Sequence, residues 1–155
     1  MREMRRKDRL ISKEEAMEVL KKGEYGILAT VDEVGQPYGV PVSYVVLNDA
    51  VYFHATNAGG QKFDNFTKNS KVSFTVVGNT QVLPDQFATL YESAIVIGEA
   101  ILVDDEAERL AAFREFLPKY SPAFLAEGDQ YIKTAGPMAM IIKISINEIT
   151  GKSKR

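Results

Sequence analysis

Three runs rich in β-branched and aromatic residues follow one another between Gly26 and His54, and only turn-forming residues separate them. Gly26–Val31 passes into a turn over residues 32–35, residues 38–47 pass into Asn48-Asp49, and residues 51–54 complete the set. Links this short leave no room for a crossover helix, so the three predicted strands form an antiparallel meander. Pro41 has no N–H to donate, which places its part of the second run at a sheet edge or in a bulge. Three more runs continue the pattern. Residues 71–77 alternate with Val72, Phe74 and Val76 on one face. Residues 91–103 make a long strand with Tyr91, Ser93, Ile95, Ile97, Ile101 and Val103 as its inward set, and Gly98 permits a bend. Residues 138–146 end the series, with Lys143 and Ser145 on the wetter face. Residues 78–90, with Gly78 and Pro84, read as a polar loop. The expected fold class is mainly β with peripheral helices, a six-stranded antiparallel barrel.

The helices are short and lie between these runs. Ser12 and Glu15 have the spacing of a capping box, Ile11 can staple onto Ala16, and Gly23 stops the helix. A second helix is predicted over Gln61–Lys68 with Phe63 and Phe66 inward. Asp104 caps a third, which Pro118 ends, and Ser121-Pro122 opens a fourth that reaches about Glu127 before Gly128.

A chain of 155 residues, 45% apolar and with a formal charge of −2, suits one domain over residues 1–155 and excludes intrinsic disorder. Its charge is unevenly placed: residues 1–9 carry a net +3, residues 152–155 another +3, and the stretch between them −8. An acidic body argues against nucleic acid as a partner. The basic ends are either solvated tails or a dock for phosphate. With no cysteine and one histidine, disulfides, thiolate metal sites and His-based zinc sites are excluded, which leaves a carboxylate site for Mg²⁺ or Ca²⁺ open. No apolar run approaches the length of a membrane span, and no apolar stretch follows the basic start as in a secretory signal, so a cytoplasmic protein is expected.

The stretch from Phe53 to Asp64 holds most of the chemistry. A strand ends, a glycine-bearing loop follows, and a helix opens at Gln61 with Lys62 in its first turn. Helix N-termini present unpaired N–H groups and partial positive charge, so a lysine there either extends into water or helps to hold an anion. Neither a P-loop nor a dinucleotide-binding glycine fingerprint is present. His54, on the same strand face as Tyr52, is either a site residue or a structural histidine; no Gly-x-Ser-x-Gly elbow offers it a nucleophile. In the strand holding Pro37, Gly39, Pro41, Val42 and Ser43, the missing side chain at Gly39 either admits a flat ring against the backbone or marks a bulged strand. Ser93 could donate to a phosphate, although serines in strands mostly do nothing special.

Taken in order, residues 4–9, residues 26–30, residues 36–42, the block Tyr52-Phe53-His54 with Lys62, Asp64 and Asn65, residues 71–74 and the ending at residues 149–152 resemble one family. It is the nitroimidazole-resistance (Nim-like) branch of the pyridoxamine 5′-phosphate oxidase-like flavoproteins. The resemblance implies an FMN-binding split β-barrel that forms a homodimer with FMN at the interface; FAD also occurs in this superfamily. It makes Lys62 the phosphate partner, with Gln61 and the segment after His54, including Ala55 and Thr56, close by. It sets Val42 and Ser43 beside the isoalloxazine and His54 in the substrate pocket, where it positions or protonates substrate. Ser93 and Lys152 are its further cofactor contacts. The implied activity is an FMN-dependent oxidoreductase that takes electrons from a donor such as NAD(P)H and reduces a small aromatic or nitro-type substrate. The other readings are a flavin-binding or storage module without turnover and a haem-binding barrel with His54 as axial ligand. A pyridoxamine 5′-phosphate oxidase activity is disfavoured, because no cluster of Arg and His offers a second phosphate site.

Overall fold

The capping box at Ser12 forms in the computed structural model, which describes residues 2–56 and 59–155. The Ser12 hydroxyl accepts from the Glu15 N–H at 3.1 Å, and the Glu15 carboxylate accepts from the Ser12 N–H at 2.9 Å. Together they start α1 (Lys13–Lys22). Eight of the remaining strands hold the chain's apolar runs and their extensions: β2 (Gly26–Val31), β3 (Pro37–Val42), β4 (Val45–Leu47), β5 (Ala50–Thr56), β6 (Lys71–Leu83), β7 (Ala88–Leu102), β8 (Ala139–Ser145) and β9 (Glu148–Lys154). A two-residue β1 (Leu10–Ile11) precedes α1, and the other helices are α2 (Gln61–Lys68), α3 (Glu106–Tyr120) and α4 (Leu125–Ala135).

All pairings are antiparallel, in the order β3-β2-β6-β7-β8-β5-β4, with β9 joining β7 to β1. The sheet curls without closing, with β3 and β4 as free edges, and this is the split barrel. Pro41 therefore lies on an edge strand, where its missing N–H costs no ladder bond. The split lies in β7. Residues 91–97 pair with β9, while residues 100–102 pair with β8. The bend between them falls at Gly98, where a Cβ would stand 1.7 Å from the Ser145 carbonyl oxygen. Only glycine admits that approach.

The six predicted runs become nine strands for local reasons. Residues 38–47 break at Ser43-Tyr44, because β3 pairs with β2 whereas β4 pairs with β5 on the other half of the sheet. The two ends of the chain pair with each other, Leu10 opposite Lys152. Residues 78–90 are an extended hairpin rather than a loop: β6 and β7 stay paired out to Leu83 and Ala88, with a bulge at Asn79-Thr80 and a turn at Pro84–Gln86. Over residues 94–101 the inward set of β7 is also the opposite one, although Val103, just past the strand, is buried as expected. Ala94, Val96 and Ala100 are buried, because Phe74, Tyr44 and Phe53 already fill the barrel and only small residues fit against them. Ile95 and Ile97 face out. α3 is capped by Asp105, not Asp104, and runs past Pro118 to Tyr120. α4 begins at Leu125 and continues through Gly128, which packs against Leu117.

Two cores result. One fills the barrel around Leu20, Leu28, Phe53, Phe74, Val96 and Ile142; the other lies between sheet and α3–α4, around Tyr52, Phe113, Ile132 and Ile141. β5 and β8 thus bury both faces. The outer face of the β2-β6-β7-β9 portion is uncovered, with Ile27, Thr75, Ile95 and Thr150 aligned across it and Ile27 and Ile95 each 38% exposed. No helix of the described residues is long and apolar enough to cross a membrane.

Candidate functional site

β5 ends at Thr56, and part of the loop singled out in the sequence, Asn57-Ala58, lies outside the described residues. Gly59 and Gly60 then carry φ of +79° and +127°, a backbone shape that side-chain-bearing residues avoid. Gly60 is the N-cap of α2 and no side chain caps the helix, so the N–H groups of Gln61, Lys62 and Phe63 have no side-chain acceptor. Lys62 is half-buried and has no carboxylate within ion-pair distance among the described residues. The helix end is held from beneath. Gln61 Nε2 donates to Asn65 Oδ1 at 2.8 Å, Asn65 Nδ2 donates to Thr30 Oγ1 at 2.9 Å, and Thr30 Oγ1 donates to the Tyr38 carbonyl at 3.4 Å. Asn65 and Thr30 are the buried polar residues of the described chain. This network fixes the start of α2 against β2 and β3.

The strand break at Ser43-Tyr44 is the second feature. The Tyr44 N–H donates to the Tyr120 hydroxyl at 2.9 Å, and the Tyr44 carbonyl accepts from Lys119 Nζ at 2.8 Å. Tyr120 passes its own proton to the Glu24 carbonyl at 2.7 Å, with the Tyr44 carbonyl at 3.0 Å. The Tyr44 hydroxyl donates to the Leu20 carbonyl inside the barrel. These contacts explain why α3 outlasts Pro118: its last two residues gain hydrogen bonds to the sheet. Val42 packs against the barrel core, whereas Ser43 is exposed, its side chain hydrogen-bonds Tyr120, and its peptide N–H and C=O have no partner among the described residues.

His54 lies at the mouth of a cavity of about 380 Å³ between the end of β5, α3 and α4. Phe113, Phe116, Leu117, Tyr131 and Met138 line it, with Ala55 and Thr56 at its edge. The imidazole meets Phe116 edge-on at 5.1 Å between centroids and is tilted against Phe113 at 6.4 Å. Neither ring nitrogen has a hydrogen-bond partner among the described residues. Desolvation by these neighbours pushes the His54 pKa below its ordinary value, so the ring is neutral at pH 7. Arg109 holds the far side of the cavity by donating to the Gly136 and Ala139 carbonyls at 2.7 and 3.0 Å.

His54, Ala55 and Thr56 thus border the cavity against α3 and α4, whereas Gln61 and Lys62 open α2, which packs on β2. Val42 ends β3 opposite Gly26, and Ser43 opens the link to β4 five residues along from Tyr38, which pairs with Thr30. Ser93 and Lys152 stand opposite each other in the β7–β9 ladder, on the outer sheet face. By register they align with residue 25 of the β2 side, five residues from Thr30, or roughly 16 Å along the strand. Within one chain they are therefore apart from Lys62. Sequence reasoning missed Thr30, Lys119, Tyr120 and Arg109, and gave Asn65 no role. The Gln61/Asn65 pair, four apart on one helix face, is a signal that could have been found.

The sequence profile of the pyridoxamine 5′-phosphate oxidase family matches residues 12–153. No curated protein sequence matches the chain. Among solved structures, a candidate 5-nitroimidazole antibiotic resistance protein from Bacteroides thetaiotaomicron superposes with a TM-score of 0.74 at 21% identity, over 92% of this chain and 85% of its own. An FAD binding protein from Mycobacterium smegmatis gives 0.67 at 24%, over 94% and 98%. A flavocytochrome from Azotobacter vinelandii gives 0.76 at 19%, over 99% and 72%. At these identities the likeness is one of fold.

Proposed function

The chain belongs to the pyridoxamine 5′-phosphate oxidase family, and from that premise we propose that it is a flavin-binding protein, an FMN-dependent oxidoreductase acting on a small aromatic or nitro-type substrate. The observation that carries the reading is the uncapped N-terminus of α2 with Lys62 beside it, unpaired by any carboxylate. That donor set fits a phosphate monoester: backbone N–H groups, a helix dipole and one ammonium, on a base that the Gln61–Asn65–Thr30 chain keeps rigid. The unpaired peptide edge of Ser43 fits the polar rim of a flat ring, and Val42 offers it an apolar neighbour. The flavin, when bound, supplies the transfer of electrons from a donor such as NAD(P)H to the acceptor. The protein's residues bind and orient. His54, neutral and set in an aromatic cavity, receives an uncharged substrate ring and presents a hydrogen bond to it.

The second copy belongs to the same reading. The outer face bearing Ile27, Thr75, Ile95 and Thr150 is free of charge at its centre, and Lys152 and Glu148 lie at its β9 border, an arrangement typical of interface core and rim. A homodimer through this face brings Ser93 and Lys152 of one copy towards the flavin of the other. The similar proteins that bind FAD, or haem as well, favour two variants of the reading: FAD in place of FMN, and haem with His54 as a ligand, for which both free imidazole nitrogens qualify. The absorption spectrum of the protein as isolated, with mass identification of what is released on denaturation, separates them. Flavin bands and a released mass of FMN are expected; a Soret band alone, or a colourless protein that takes up no added flavin, overturns the reading.

A further inference from the structure

Lys119 is a cation without an anion. It is half-buried at the end of α3, its Nζ lies 3.7 Å from the centre of the Tyr44 ring and 5.3 Å from that of Tyr120, and its one hydrogen bond goes to the Tyr44 carbonyl. No carboxylate of the described residues comes within ion-pair distance. Such an ammonium gives up hydration and receives in return only a carbonyl dipole and the faces of two rings. α3 is already tied to Tyr44 without the charge, because the Tyr44 N–H donates to the Tyr120 hydroxyl. What the charge does have nearby is the peptide edge of Ser43, the adjoining residue, which is unpaired.

We propose that the charge of Lys119 acts on the flavin site, favouring the negative charge that reduction adds to a ring docked on the Ser43 edge. This deepens the flavin reading above and rests on it. The Coulomb attraction of a fixed ammonium is stronger through a partly desolvated region than through water, and it acts on the reduced ring more than on the oxidised one. The other charged or titratable groups about Lys119 are Lys21 from α1 and Glu115 from α3, which share its surface hollow, the two tyrosines, and Glu24, whose charge acts on Tyr120. None of these neutralises it at pH 7. Burial pushes the Lys119 pKa down to about 8, so the ammonium can be discharged within an accessible pH range.

The test uses full-length protein stripped of cofactor and reloaded with FMN, as wild type, Lys119→Gln and Lys119→Arg. Fluorescence quenching gives the affinity for oxidised flavin, and spectroelectrochemistry gives the midpoint potential. The Gln variant is expected to bind oxidised FMN about as tightly as wild type but to favour the reduced form about tenfold less, a midpoint about 30 mV more negative for a two-electron couple. The Arg variant is expected to restore the wild-type potential. A loaded Gln variant with an unshifted potential overturns the proposal, since a purely structural lysine would leave the potential alone. Should the Gln variant not fold, wild type and Arg variant are compared from about pH 6 to about pH 10. The wild-type potential is then expected to fall below that of the Arg variant on passing about pH 8, and parallel curves overturn the proposal. Failure of wild type to bind FMN or FAD in the first titration overturns the flavin reading and this proposal together, so the two failures are read at different steps.

Discussion

Lys62 and Lys119 both lack a carboxylate partner among the described residues, yet their surroundings differ. Lys62 lies in the first turn of a helix whose N–H groups have no side-chain cap. Replacing it with Ala is expected to weaken FMN retention by about 1.5–3 kcal/mol, the worth of a charge-assisted hydrogen bond, as measured by equilibrium dialysis; unchanged retention would remove Lys62 from the site. His54→Ala is expected to keep the flavin and alter turnover, measured as NAD(P)H consumption with a nitroaromatic acceptor. Lys119 has a thermodynamic signature as well. Its folded pKa, about 8, is below the ordinary lysine value, so between these the unfolded chain binds more protons and stability rises with pH. Thermal melts from about pH 8 to about pH 10 should show a gain in wild type that Lys119→Gln lacks, and identical slopes would refute it. Lys62, His54 and Ser43 were legible as site candidates because each belongs to a short local pattern. Lys119, Tyr120 and Thr30 were not, because their partners lie 75, 76 and 35 positions away, and no local spacing encodes such pairs.

At the scale of elements, the strand positions were readable from their residue types but their faces were not. β7 is apolar on both sides over much of its length, so period two is present in either phase. The choice was made by volume: three aromatic rings in the barrel leave room for Ala94 and Ala100, not for isoleucine. The hairpin beyond residue 77 was hidden for another reason. Its residues are polar enough for a loop, and a bulge at Asn79-Thr80 keeps the pairing while shifting the alternation. α2 gives a sharper prediction. Asn65→Leu removes the link between Gln61 and Thr30 and leaves the Thr30 hydroxyl without its buried donor. The cost is expected to be about 1–3 kcal/mol in urea melts, with a loss of flavin affinity larger than that of a neutral exposed change in α2. If stability falls while flavin affinity does not, the network holds the fold and not the site.

For the whole molecule, the open question of the outer sheet face has a direct reading. Ile95→Glu puts a charge at the centre of the uncovered row Ile27-Thr75-Ile95-Thr150. Sedimentation should show a dimer for wild type and a folded monomer for the variant, and the monomer should retain flavin poorly if Ser93 and Lys152 act across the interface. A variant that stays dimeric would place the contact elsewhere.

β7 has a consequence of its own. Because one uninterrupted strand belongs to both halves of the sheet, and its bend at Gly98 fits against Ser145 in a single alignment, neither half can register without the other. Loss of structure should therefore be all-or-none across both cores. In native-state hydrogen exchange the amides of Val96 and Leu102, on opposite sides of the bend, should open together and only at the free energy of global unfolding, whereas the tip near Phe87 exchanges freely.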